Sequence, residues 1–317
     1  MENPVRSDWL PNHSDSAARR PASNPRPVFI TGAGRSGSSI LTWAIGAHQH
    51  FQPLEETGWL GLLGTGALAG YDFVLNSPRN FFKIYGVSLY DYMATVGRAI
   101  DALIMKASTN SASTNVQRRW VDGTPENTNC ILLLHHLFPK AKFLFLLRDP
   151  IDVVTSFAYF DRAGGSSRSI PDAARSWIRL TQRGLLAYRA FGPDVIKIVP
   201  YAGLVNKPAI TLKNIFDFLS DHYAPEAALM MHQRINSSSV TQEERESVRR
   251  RIERTAFKRP MRRLYDEVLS LMDAPWSRDE GALRELQSLQ HLPIYTFASP
   301  RFAFVRWILA RLRGKIA

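Results

Sequence analysis

The sequence predicts an α/β fold, with a parallel sheet flanked by helices. Three observations carry the prediction. Short apolar runs alternate with segments of helical spacing, a glycine-rich loop separates the first run from the first helix, and a second run ends in Arg148-Asp149-Pro150 ahead of another helix. Strands separated by helices need crossover connections, and crossovers make neighbouring strands parallel.

The first run is Pro27 to Thr31 (PVFIT), which stops at glycines; Ile40, Leu41, Trp43, Ala44 and Ile45 then recur at helical spacing. Ala141 to Leu147 (AKFLFLL) has the unbroken apolar character of a strand covered on both faces. Pro150 suits the first turn of a helix that carries Val153, Val154 and Phe157. Asp194 to Val199 is a third strand, and Ile210 to Leu219 a helix with Ile210, Leu212, Ile215, Phe216 and Leu219 apolar. Residues 57–120 carry aromatic and glycine-containing segments and read as an insertion of helices and loops. Residues 241–317 read as a helical C-terminal part. Its first stretch, Thr241 to Arg263, holds Arg249, Arg250, Arg251, Arg254, Lys258, Arg259, Arg262 and Arg263. A solvated helix face is the simpler reading of that run, and contact with phosphate or substrate the other.

At 317 residues and 45% hydrophobic content, the chain can bury one large core, so residues 27–317 are expected to form a single domain. Met1 to Arg26 is rich in Pro, Ser, Asn and Arg, lacks the apolar run of a signal peptide or anchor, and is expected to be a flexible tail. The 40 Lys and Arg against 28 Asp and Glu give +12, which favours a polyanionic ligand without choosing one. A lone cysteine, Cys130, excludes an intrachain disulfide framework and a Cys-rich metal site, and fits a cytoplasmic protein. Pro300 to Ala317 offers an apolar helical stripe of Phe302, Val305, Leu309, Leu312 and Ile316 beside Arg306, Trp307 and Arg313. It is expected to pack on the core, with peripheral contact to a membrane surface as the alternative.

Gly32-Ala33-Gly34-Arg35-Ser36-Gly37-Ser38-Ser39 satisfies the glycine spacing of a dinucleotide fingerprint and nearly satisfies the P-loop pattern, so the loop alone does not decide. A dinucleotide enzyme needs a second strand ending in an acid ~20 residues on. His48 to Pro53 is polar and proline-interrupted there. A nucleoside triphosphatase needs a lysine after the last glycine, where this chain has Ser38. What remains is a cradle of N–H groups at a helix N-terminus, with Arg35 inside it and hydroxyls at Ser36, Ser38 and Ser39, suited to phosphate or sulfate. Arg148 ends the second apolar strand, and Ser156 lies eight residues on, near the second turn of the next helix. Both can reach one anion at the strand's C-terminal edge, where open α/β sheets bind ligands. Alone, Arg148 reads equally as a buried arginine paired with Asp149 or Asp152.

With both motifs in place, the sequence from about Pro27 to Ser239 resembles the PAPS-dependent sulfotransferases (PAPS, 3′-phosphoadenosine 5′-phosphosulfate), in particular the branch with protein-tyrosine sulfotransferases and bacterial enzymes. The resemblance implies a P-loop-NTPase-like fold, PAPS as donor, PAP as product, no metal, and a hydroxyl-bearing acceptor whose class the sequence leaves open. It implies that Gly34, Arg35, Ser36, Gly37, Ser38 and Ser39 hold the 5′-phosphosulfate, and that Arg148 and Ser156 hold the 3′-phosphate. Tyr201, in Tyr-Ala-Gly-Leu-Val, is similar to a tyrosine beside the nucleotide, and Ser238, in Ser237-Ser238-Ser239, to a loop serine over the cofactor; a core tyrosine and a polar turn are the plainer readings.

Sulfuryl transfer needs a group that takes the acceptor's proton and donors for charge on the leaving phosphate. Glu55-Glu56-Thr57 resembles a segment whose second glutamate is the base, which points to Glu56, with Glu55 supporting it or exchanging roles. The family's lysine beside the bridging oxygen is replaced by Gly123 in Asp122-Gly123-Thr124-Pro125, so Arg35, the loop amides or another cation must carry that charge. His135 and His136, adjacent on a helix, point in different directions and read as structural. A kinase-like phosphotransferase and a non-catalytic nucleotide or nucleic-acid binder are the alternatives, although nothing specifies a nucleic acid.

Overall fold

The computed structural model describes residues 25–109, 118–231 and 239–289. The amino-terminal half runs β1 (Val28–Gly32), α1 (Ser38–Gly46), β2 (Phe51–Pro53), α2 (Leu60–Leu75), α3 (Phe81–Ile84), α4 (Leu89–Thr109), β3 (Arg119–Asp122) and α5 (Ile131–Leu137). There follow β4 (Lys142–Leu147), α6 (Pro150–Ala158), α7 (Ile170–Phe191), β5 (Ile196–Pro200), α8 (Tyr201–Asn206) and α9 (Pro208–Phe218). The last helices described are α10 (Pro225–Met230), α11 (Gln242–Glu253), α12 (Lys258–Ser270) and α13 (Glu280–Leu289). Pro125–Cys130 and Phe160–Ala163 are 3₁₀ turns.

Each strand pairing is parallel and the order is β2-β3-β1-β4-β5, so the expected α/β fold with a P-loop-like strand–loop–helix start is present. Side chains alternate between two cores. Phe29, Trp120, Phe143, Phe145, Ile196 and Ile198 face α2, α4, α5, α6 and α7, whereas Val28, Ile30, Val121, Leu144, Leu146 and Val199 face α1, α9 and α10. Phe29 stacks on Phe143 with centroids 5.3 Å apart and meets Trp120 edge-on at 5.3 Å. Full burial of each such ring contributes about 1.5–3 kcal/mol. Burial on both faces explains why β4 is a continuous apolar run.

One expectation changes, one gains detail and one holds. His48 to Pro53 does contain a strand, β2, which at three residues is short enough to hide in a polar context; it lies at the sheet edge, where Pro53 costs little. Residues 57–120 are mostly helical, as expected, and help to build the larger core: Leu68 and Tyr71 of α2 and Leu89, Met93 and Ile100 of α4 are buried in it, and the last two residues already belong to β3. The charged run divides between α11 and α12, where Val248, Ile252, Met261, Leu264 and Val268 face inward and Arg250, Arg251, Arg254, Arg259 and Arg263 face solvent, as a solvated face requires. Pro300 to Ala317, and Met1 to Asn24 of the expected tail, lie outside the described residues.

Candidate active site

Parallel strands end at one edge, and each of the five delivers a motif there. β1 runs into the Gly32 loop, β2 into Glu55-Glu56-Thr57, β3 into Gly123-Thr124, β4 into Arg148, and β5 into Tyr201. The register sets β1, β4 and β5 nearly level, with Gly32 opposite Leu146 and Leu147 opposite Pro200.

The loop needs its glycines for two different reasons. At Gly32, φ is +129° and a Cβ would stand 2.3 Å from the Leu146 carbonyl oxygen; at Gly37, φ is +103° and a Cβ would stand 2.5 Å from the Tyr201 ring. Thr128 holds the start of the turn, its Oγ1 accepting from Gly32 N at 2.7 Å. Gly37 caps α1 without a side-chain partner, and Ser38 begins the helix, so its N-terminus opens on the loop. Gly34 lies against the Phe157 ring.

Arg35 adopts a left-handed φ of 66°, and its guanidinium lies 3.9 Å from the centre of the Phe160 ring while Nε donates to Ser156 Oγ at 3.1 Å. Arg148 donates from Nη1 to the Arg35 carbonyl at 3.0 Å and covers the Tyr201 ring at 4.4 Å. Loop, arginine, serine and tyrosine, remote in sequence, thus form one cluster. The alternative reading of Arg148 as an ion-pair partner fails: Asp149 caps α6 by accepting from Ile151 N at 2.8 Å, and Asp152 pairs with Arg245. Burial lowers the Arg35 pKa to about 10, aided by the Arg148 charge and opposed by Glu56. It stays protonated at neutral pH, so two cations share the cluster. The Ser36 hydroxyl and Arg148 Nε are buried with no hydrogen-bond partner among the described residues, and an anion's oxygens can satisfy both. The residues therefore fit a phosphate- or sulfate-bearing ligand. Ser39 is half-buried in the first turn of α1, and Ser238 lies outside the described residues.

Glu55 and Glu56 are exposed and precede a buried anchor. Thr57 donates its hydroxyl to Asp122 Oδ2, and its backbone N–H to Thr124 Oγ1 at 2.7 Å. The fully buried Asp122 carboxylate also accepts from Thr124 N at 2.8 Å, Thr124 Oγ1 at 2.6 Å and Asn127 Nδ2 at 2.7 Å. Burial raises the Asp122 pKa and these donors oppose the rise. One carboxylate thereby ties the glutamate segment to the turn ahead of α5. In the sequence Asp122 has only one signal, its place after Trp120-Val121 and directly ahead of Gly-Thr-Pro. A Cβ at Gly123 would stand 2.2 Å from Thr42 Oγ1, so this position packs on α1 and has no room for a lysine. His135 and His136 sit in α5, where burial lowers their pKa to about 4 and about 3, neutral at pH 7.

Residues 27–225 match a family model described as the sulfotransferase family. A search of curated proteins found no match. Similar solved structures include the sulfotransferase domain of the Synechococcus PCC 7002 olefin synthase, with 22% identity over 88% of this chain and 100% of that one and a TM-score of 0.46. Another is a sulfotransferase from Alicyclobacillus acidocaldarius, at 14% identity over 83% and 100% of the two chains and a TM-score of 0.46. A third is a mouse sulfotransferase in complex with PAP, at 11% identity over 86% and 90%, with a TM-score of 0.35. The matched segment contains all five strands, the Gly32 loop, Arg148 and Tyr201, and by that match the chain belongs to the sulfotransferase family.

Proposed function

We propose that this protein transfers a sulfuryl group from PAPS to an acceptor hydroxyl by in-line displacement. The observation that carries the reading is the joined pair of anion-binding motifs, with Arg148 on the Arg35 carbonyl and Ser156 on the Arg35 side chain. A donor with a phosphate at each end of its ribose matches two linked cationic sites better than a single phosphate does. Gly34 to Ser39 hold the phosphosulfate, Arg148 and Ser156 the 3′-phosphate, and Tyr201 packs against both Gly37 and Arg148 at the nucleotide.

PAPS supplies the activated sulfur. Glu56 takes the acceptor's proton as the acceptor oxygen bonds to sulfur, and the sulfur–oxygen bond to the phosphate breaks to release PAP. Charge growing on the leaving phosphate meets Arg35 and the N-terminus of α1, which do the work of the lysine absent at Gly123. Glu55 is the alternative base, and the chemistry calls on no metal. The Mg²⁺-dependent phosphotransferase reading is disfavoured by Ser38.

The acceptor side is assigned to α2, which begins just beyond Glu56. Its later turns line a cavity of about 590 Å³ with Leu68, Ala69, Asp72, Phe73 and Asn76, none of which belongs to the arginine cluster or the glutamate segment. Among the described residues no helix is long and apolar enough to cross a membrane. We assign the protein to the cytoplasm.

The deciding experiment is PAPS turnover by mass spectrometry against a panel of sugar, lipid, peptide-tyrosine and small-alcohol acceptors, with thermal shift as a control. PAP is expected to raise Tm without Mg²⁺. Stabilisation by ATP with Mg²⁺ but not by PAP refutes the reading.

A further inference from the structure

At the amino-terminal edge of the sheet, opposite the arginine cluster, four metal-ligating side chains meet. His48 follows the end of α1, His50 immediately precedes β2, and Asp221 and His222 lie between α9 and α10. One donor atom from each lies within 4.8 Å of all the others. His48 Nε2 is 3.0 Å from His222 Nε2 and 3.6 Å from Asp221 Oδ1, and His50 Nδ1 is 3.0 Å from the same oxygen. Donors ~2.0–2.1 Å from a tetrahedral Zn²⁺ stand ~3.3 Å apart. The shorter spacings bracket that edge, and the longest closes by rotation of the more exposed rings.

The burial profile suits a site open to solvent on one side. Side-chain exposure rises from 1% at His48 through 12% at Asp221 and 36% at His50 to 61% at His222. His48 is further fixed by Phe51 and Phe216, with centroids 5.5 and 5.2 Å away. Arg119, which donates to the Leu219 and Arg26 carbonyls, and Glu226 are the other charged groups nearby. With no metal, the His50 amide donates to His48 Nδ1 at 3.1 Å, which puts the His48 proton on Nε2 against His222. Both His50 and His222 then turn ring nitrogens to the same Asp221 oxygen, at 3.0 and 3.2 Å. A dication takes all four lone pairs at once. Coordination through Nε2 moves the His48 proton to Nδ1 and turns the His50 amide aside.

The geometry points to a divalent-metal site at His48, His50, Asp221 and His222, with zinc the best match to three imidazoles and one carboxylate. Its work is to fasten the edge strand β2 and the end of α1 to the α9–α10 connection. It stands apart from the sulfotransferase chemistry, because β2 separates it from the glutamates.

The test uses full-length protein free of any polyhistidine tag and stripped with a chelator. It is titrated with Zn²⁺ alone by calorimetry and with Co²⁺ by visible spectroscopy. One equivalent per chain, a raised Tm and the ligand-field bands of four-coordinate Co²⁺ are expected. His222→Ala, at an exposed position, should leave the metal-free Tm in place and weaken zinc on the order of 10²-fold; Asp221→Asn should do the same to affinity. Equal zinc uptake by the wild type and His222→Ala overturns the site, as does a wild-type Tm that follows pH but not zinc.

Discussion

Acidification should destabilise this protein through α5. The unfolded chain protonates His135 and His136 near their ordinary 6.5, whereas burial holds them at about 4 and about 3 in the folded state. A lowered histidine pKa leaves its stability intact above 6.5 and removes it as pH falls toward the folded value, because only the unfolded state takes up the protons. At pH 5 the deeply buried His136 therefore costs about 2 kcal/mol relative to neutral pH. His135 is half-buried with its Nδ1 covered, and adds up to as much again. The sum, ~2–4 kcal/mol, is a large share of a typical domain's ~5–15 kcal/mol. Urea titrations at pH 7.5 and pH 5, at matched ionic strength, measure it. A loss below about 1 kcal/mol, or an equal loss in the His135→Gln/His136→Gln protein, refutes the reasoning. The result also bounds activity assays, since an acid limb below pH ~5.5 reports lost stability as well as lost chemistry.

Replacing Glu56 with Gln should lower turnover by roughly 10²- to 10⁴-fold while PAP affinity in calorimetry stays nearly unchanged. Near-normal turnover on an acceptor of ordinary acidity would transfer the role to Glu55. Arg148→Ala should weaken PAP by on the order of 1.5–3 kcal/mol and adenosine 5′-phosphosulfate far less; equal losses would mean the 3′ site is elsewhere. Gly123→Ala should lower stability by about 1–3 kcal/mol through the collision with Thr42 Oγ1. Thr42→Ala in the same chain should restore most of it, as read by thermal melts.

What the sequence made legible is what is local. The Gly32 loop, Arg148 with Ser156, and Pro150 at a helix start are each written within a dozen or so residues, and their partners meet because parallel strands share an edge. The strands β2 and β3 were not legible, because three or four residues with Pro53 or Arg119 among them carry no periodic signal. Helix α7 was legible in principle, since Ile170, Ala173, Ala174, Trp177, Leu180 and Thr181 keep helical spacing, but no motif drew the reading there. Asp122 was read for the lysine missing beside it. Its grip on Thr57 spans 65 positions, and the meeting of His48 with His222 spans 174, distances over which only the folded chain brings groups together.

The hydrogen bond from Arg148 to the Arg35 carbonyl couples the side chain of one cation to the backbone of another. On the proposed assignment, the arginine that senses the 3′-phosphate also steadies the backbone of the arginine that faces the sulfuryl group. A nucleotide lacking that phosphate would lose more than a contact: it would leave the neighbouring cation less well aimed. Fidelity toward the full donor would then be exercised twice, once when the nucleotide docks and again when the bond is broken, and an incomplete donor that does dock should turn over slowly.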